Sequence, residues 1–267
     1  MKRTSTRILV ECSMMLALAT VLSMLKLVEM PYGGSVTLAS MLPILIVAYR
    51  HGVRYGLLCG ACYALMQQLL GLKNLSYFTT WYSVVAVIVL DYLLAFVLIG
   101  LGGAFRKKMK SQSLSLFCGC VLVCVVRYVL HTLSGATVWA GLSIPSEAAL
   151  VYSLGYNATY MLPETIILCA VAYYLGGMID FSREMPTRMR SSLTQSDRAF
   201  FYVALSGLCA LTGLIVEVCL IFPQLQMEDG SFSLSGLGSV PWGLCAVIAV
   251  ASVAITAALY RIAARKR

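Results

Sequence analysis

Charge is scarce in this chain: Asp, Glu, Lys and Arg together make up 12% of 267 residues. An ordinary soluble domain carries about 25%. So little polar surface cannot clothe a water-soluble globule of this length, which excludes a soluble enzyme, a disordered chain and an ordinary DNA-binding domain. No G-x-x-x-x-G-K-[ST] run occurs, so P-loop ATP hydrolysis is not expected on this chain. Nucleophile, metal-cluster and cofactor signatures are missing as well. What the chain has instead is apolar sequence: 60% hydrophobic residues and a mean hydropathy of +0.86. The composition is that of a polytopic membrane protein.

A bilayer-crossing helix needs roughly 17–25 mostly apolar residues. Eight runs are read on that basis, at 8–25, 35–49, 53–70, 79–101, 114–133, 151–177, 199–222 and 242–260. The basic N-terminus lacks a prompt small-residue cleavage site, so the first run is read as a retained helix. Seventeen of the twenty cations fall on one side of these runs, from Lys2, Arg3 and Arg7 through Arg50 and Arg54 to Arg265, Lys266 and Arg267. Only Lys26 and Lys73 fall on the other, and Arg127 lies within a run. Positive charge marks the cytoplasmic side, so both termini are expected inside and the span number even. The net charge of +9 then needs no nucleic acid. The stretches 30–34, 139–147 and 227–240 are expected outside.

Ten cysteines lie almost entirely inside the apolar runs, which argues against a disulfide framework. Cys59-Gly-Ala-Cys62 has metal or redox spacing but no second pair, and neither His51 nor His131 completes it. Small apolar filler is the reading.

Ionisable residues inside hydrocarbon are costly, and each is a functional candidate by default. Six qualify: Glu11, Asp91, Arg127, His131, Glu164 and Glu217. Glu11, near a cytoplasmic end, reads as reaching headgroups, and Glu217 as structural. The rest converge. Helical spacing puts Arg127, His131 and Gly135 on one face, and Tyr156, Tyr160 and Glu164 on another, with Asp91 near mid-span. Trp139, Tyr152 and Asn157 belong to the same outer half. Aromatic faces with two carboxylates against one guanidinium suit a flat, cationic, nitrogen-rich molecule. The competing reading makes Asp91 and Arg127 a buried ion pair and the tyrosines an interfacial belt.

Four stretches resemble one family in order: Lys26-Leu-Val-Glu-Met-Pro-Tyr-Gly-Gly-Ser-Val-Thr-Leu38 with Ser40-Met-Leu-Pro43; Leu90-Asp91-Tyr92-Leu-Leu-Ala-Phe96; Arg127-Tyr-Val-Leu-His131-Thr-Leu-Ser-Gly135 with Trp139; and Tyr152-Ser-Leu-Gly-Tyr-Asn157-Ala-Thr-Tyr160-Met-Leu-Pro-Glu164. The family is the thiamine-specific S-component of energy-coupling factor (ECF) vitamin transporters, and the resemblance runs from about residue 8 to about residue 180. It implies a six-helix bundle that captures thiamine from outside. Trp139 resembles the indole that stacks on the aminopyrimidine, and Asp91 with Tyr92 the acid–aromatic pair on the ligand. His131, Gly135, Tyr152 and Asn157 match the remaining pocket motif. Glu164 joins the expected substrate-binding set on its position. Arg127 either touches ligand or braces the carboxylates.

The expected organisation is all-α: an S-component-like bundle over 1–184, a cytoplasmic linker over 185–198, and two extra transmembrane helices of unknown role over 199–267. The expected partners are thiamine, a coupling membrane subunit, two cytosolic ATPase subunits and the lipid of a bacterial cytoplasmic membrane. Neither cofactor nor catalysis is expected. The alternatives are an S-component for another vitamin or a pyrimidine precursor, and a stand-alone proton-coupled carrier. A carrier of that kind would carry an internal repeat, and none is visible.

Overall fold

The computed structural model describes residues 2–30, 34–78, 80–141, 146–188, 195–225 and 234–265. Its helices are α1 (Lys2–Met24), α2 (Leu42–His51), α3 (Val53–Leu70), α4 (Trp81–Phe105), α5 (Gln112–Gly141), α6 (Ser146–Met178), α7 (Gln195–Leu225) and α8 (Trp242–Ala264). Two short antiparallel hairpins join them. In one, β1 (Lys26–Glu29) pairs with β2 (Ser35–Thr37); in the other, β3 (Ile179–Asp180) pairs with β4 (Thr187–Arg188).

Six of the eight helices are long and apolar enough to cross a membrane; α2 and α3 fall short. In α3 the polar Arg54, Gln67 and Gln68 dilute the run. At 10 residues α2 is roughly 15 Å long, half of a ~30 Å hydrocarbon layer. The expected span at 35–49 is therefore corrected. Its first residues form strand β2 and a turn, and the helix begins only at Leu42 with Pro43 in its first turn, where a missing N–H costs nothing. Every residue from Leu42 to Arg50 is buried, so α2 is the centre of the bundle. Around it pack Tyr63 of α3, Ile99 of α4, Phe117, Cys120 and Val123 of α5, and Leu168 and Cys169 of α6. The nine cysteines whose side chains are described are all free thiols.

One end of the bundle is tied by Arg50, which is 8% exposed. Its guanidinium donates to both oxygens of Glu11 and to the carbonyls of Phe181, Arg183 and Glu184. This corrects the placement of Glu11 at lipid headgroups. An ionised pair at low exposure persists only when its remaining donors are also satisfied, and here the 181–184 segment satisfies them. Beside it, Gln112 donates to the carbonyls of Gly176 at 2.8 Å and Ile179 at 2.6 Å, capping the last turn of α6. The Asp180 carboxyl is held below the usual carboxylate range, chiefly by its hydrogen bond from the Ser182 hydroxyl.

Helix α7 docks through Phe201, whose ring stacks on Tyr173 at 3.9 Å and meets Phe117 edge-on at 5.7 Å. Helix α8 lies mainly against α7 and leaves Val247, Val250 and Val253 exposed. Apolar exposure of that kind suits a lipid-facing helix.

Candidate functional site

Because α2 stops half-way, the volume beyond its N-terminus is not filled by helix. The β1–β2 hairpin covers it instead, leaving a cavity of ≈ 440 Å³ at the end of the bundle opposite Arg50. That lies within the roughly 300–1,000 Å³ range of small-molecule sites. Thr37 and Ser40 line it from the hairpin side, Tyr63 and Gln67 from α3, Asp91, Tyr92 and Phe96 from α4, Arg127, His131 and Gly135 from α5, and Asn157, Tyr160 and Glu164 from α6.

The α4 wall is irregular. Its segment Val87–Leu94 is wound as a π-helix, and Asp91 and Tyr92 stand within it. Such widened turns re-aim side chains and recur at functional sites. From there a polar chain crosses the cavity. His131 Nδ1 is 2.9 Å from Asp91 Oδ1, and its Nε2 is 3.4 Å from Arg127 Nη2. Arg127 Nη1 reaches Glu164 Oε2 at 3.5 Å and Met41 Sδ at 2.7 Å. Glu164 Oε1 accepts from the Thr37 hydroxyl at 2.6 Å, and Thr37 meets Ser40 Oγ at 2.8 Å. The guanidinium carbon also sits 4.9 Å from the centre of the Phe96 ring, a cation–π arrangement.

Arg127 lines the cavity and at the same time braces Glu164, so both readings of it stand. It touches Glu164 directly and Asp91 only through His131. Its Nε is buried with no partner among the described residues. The competing picture of a direct Asp91–Arg127 ion pair is replaced by a relay with an imidazole between them.

Asn157 organises the facing wall. Its amide donates to Ser153 O at 2.8 Å and to His131 O at 3.2 Å, and its Oδ1 accepts from Tyr160 Oη at 2.6 Å. Gly135 is small of necessity: a Cβ there would lie 2.3 Å from Ser153 Oγ. Gly34, at φ +87°, lets the hairpin settle on Tyr160, whose ring a Cβ would meet at 2.8 Å. Tyr92 Oη accepts from Asn74 Nδ2 and donates to Gly71 O, each at 3.3 Å.

Six of the expected site residues thus share one cavity: Asp91, Tyr92, His131, Gly135, Asn157 and Glu164. Tyr152 is not among the lining residues. Trp139 falls in the last turns of α5, but its side chain lies outside the described residues, as do 142–145 and 226–233, which overlap the stretches expected outside. Reading the sequence for intramembrane charge overlooked Thr37, Ser40, Tyr63, Gln67 and Phe96. The signal for two of them was present, since Tyr63 and Gln67 are four apart on one helix face.

Comparison with known proteins agrees in extent with this cavity-bearing part. A solved structure of ThiT from Listeria monocytogenes matches the fold with a TM-score of 0.52 and 24% identity, over 66% of this chain and 95% of that one. The thiamine transporter ThiT of Bacillus subtilis is 34% identical over 178 residues, which is 62% of this chain and 88% of that protein. The family model described as "Thiamine transporter protein (Thia_YuaJ)" matches residues 9–180, the stretch that runs from within α1 to the end of α6 and holds every wall of the cavity. On that match, over well more than half of its length, the chain belongs to the thiamine transporter protein family.

Proposed function

We propose that this chain captures extracellular thiamine and delivers it for import as the substrate-binding membrane subunit of an ATP-driven ECF transporter. The observation that carries the reading is the cavity under the hairpin, in which Asp91, Tyr92, His131 and Asn157 converge. Asp91 gives one carboxylate oxygen to His131 and keeps 24% of its side chain accessible. It is therefore placed to accept from the exocyclic amine of an aminopyrimidine and to favour a nearby thiazolium charge. Tyr92 and Tyr160 offer ring faces, Gly135 shapes the pocket by letting Ser153 and Asn157 of α6 pack close against α5, and Trp139 at the end of α5 is the proposed stacking platform. Asn157 and Glu164 hold these groups in place, with Tyr152 contributing from the turn of α6 that precedes Asn157.

The proposed topology has eight membrane-embedded helices with both termini cytoplasmic. Residues 1–184 form the binding bundle, 185–198 a cytoplasmic linker, and 199–267 an added helix pair. Without a P-loop of its own, the chain takes energy from a membrane coupling subunit and two cytosolic ATPases. Its place is the bacterial cytoplasmic membrane.

Equilibrium titration of the purified protein with thiamine, followed by tryptophan fluorescence, tests the binding reading. A saturable change that disappears in Trp139→Ala supports it. No binding of thiamine, with tight binding of another vitamin or of the pyrimidine alone, would replace it. Labelling of a cysteine placed at Ser235 tests the topology: reaction from the outside of intact cells is expected, and reaction only after permeabilisation would reverse it.

A further inference from the structure

The cavity is electrically two-ended. In its interior Asp91 and Glu164 face one guanidinium, Arg127, leaving an excess of one negative charge around an imidazole. Its mouth is built differently. Lys26, Glu29 and Lys73 all line it, from the hairpin and from the turn after α3. Lys26 Nζ donates to Glu29 Oε1 at 2.6 Å, and the two side chains are 41% and 67% exposed. The Glu29 carboxyl lies below the usual carboxylate range, held there first by that hydrogen bond and also by the charge of Lys73. Lys26 and Glu29 offset each other, so Lys73 leaves the mouth with an excess of one positive charge. The two ends adjoin: Asn74, next to Lys73, hydrogen-bonds Tyr92, and Tyr92 follows Asp91.

Such a layout fits a ligand with a cation at its buried end and an anion at its outer end. A plain cation would use only the inner half and gain nothing from Lys73. Resting on the thiamine reading above, we propose that the mouth is an anion subsite in which Lys73, flanked by Lys26, receives a phosphate ester on the ligand's hydroxyethyl arm. Lysine ammonium groups, as compact mobile charges, suit a phosphate whose position varies with arm conformation. A phospholipid headgroup presents the same phosphate chemistry to the same lysines, and the test separates the two sources.

The full-length protein, in detergent without phospholipid, is titrated with thiamine and with thiamine monophosphate. Wild type is compared with Lys73→Met, Lys73→Glu and Lys73→Arg. Lys73→Met should weaken the monophosphate about three- to fivefold, the scale of one exposed ion pair, and leave thiamine within about twofold. Lys73→Glu should widen the gap and Lys73→Arg restore it. Raising salt should shrink the gap, since exposed charges are screened. Equal changes for both ligands, or none for the monophosphate, would overturn the subsite. So would a gap that appears only after anionic phospholipid is added, which would assign Lys73 to headgroups. If wild type binds neither ligand, the thiamine reading falls with it. Tight thiamine binding with Lys73-independent monophosphate binding removes the subsite alone.

Discussion

His131 stands between Asp91 and Arg127, with Nδ1 2.9 Å from a carboxylate oxygen and Nε2 3.4 Å from a guanidinium nitrogen. An arginine only donates and an ionised carboxylate only accepts. The imidazole that satisfies both carries its proton on Nδ1 and offers its Nε2 lone pair to Arg127. Through Arg127 and Glu164 the chain continues to Thr37, so helices α4, α5 and α6 and the hairpin share one set of hydrogen bonds. Changes within such a chain propagate along it, whereas changes at the Arg50 end do not reach it.

Asp91→Asn keeps the shape and an acceptor for His131 but removes the charge. Binding of cationic thiamine should weaken by on the order of 1–2 kcal/mol more than binding of a neutral analogue without the thiazolium charge, the scale of one partly solvated charge pair. Paired titrations read the difference. Equal losses for both ligands, with a lower melting temperature of the empty protein, would make Asp91 a structural residue only.

Asn157→Ala removes the acceptor of Tyr160 Oη and the donor to the His131 carbonyl. Leaving such buried groups unpaired costs about 1–3 kcal/mol. Both charged and neutral ligands should lose affinity together, and the melting temperature of the empty protein should fall. Unchanged melting with a loss for one ligand alone would contradict this.

Arg50→Ala strips Glu11 of its arginine partner, leaving it only His51 Nε2 at 3.1 Å, and strips three carbonyls of their donor at a position where the arginine side chain is 4% exposed. A destabilisation of ~3–5 kcal/mol is expected from breaking a buried pair on one side. Thermal unfolding measures it. The molecules that remain folded should bind thiamine with unchanged affinity, because the cavity lies at the other end of α2.

Truncation after about residue 195 removes Phe201 from Tyr173 and Phe117 but no cavity residue. Thiamine affinity should stay within about twofold while the melting temperature drops, as an aromatic contact worth ~0.5–1.5 kcal/mol beyond its buried area is lost. A well-folded truncated protein that no longer binds would place α7 or α8 in the site.

Much of the candidate site was legible because intramembrane charge is rare. Asp91, Arg127, His131 and Glu164 stood out against apolar sequence, and helical spacing put Gly135 beside His131 and Tyr160 beside Glu164. The second helix was misjudged for the opposite reason. The run at 35–49 is apolar enough to suggest a span, yet Ser35-Val-Thr37 pairs with β1 and the helix waits for Pro43. The partner strand lies just upstream of the run, at Lys26–Glu29, so nothing within the run itself announces the pairing. Glu11 was misplaced likewise, since its partner Arg50 is 39 residues away.

Residence in a membrane and the positions of the long helices were determined by the sequence itself. Runs of apolar residues need no tertiary partner to be recognised, and a helix satisfies its own backbone in lipid. Which face of each helix turns inward was decided only by the tertiary structure. Lipid and protein interior are equally apolar, so hydropathy does not separate a lipid-facing Leu from a core one. Hence the Thr37–Glu164 bond across 127 residues, the shortness of α2 that opens the cavity, and the position of Lys73 at its mouth all come from packing.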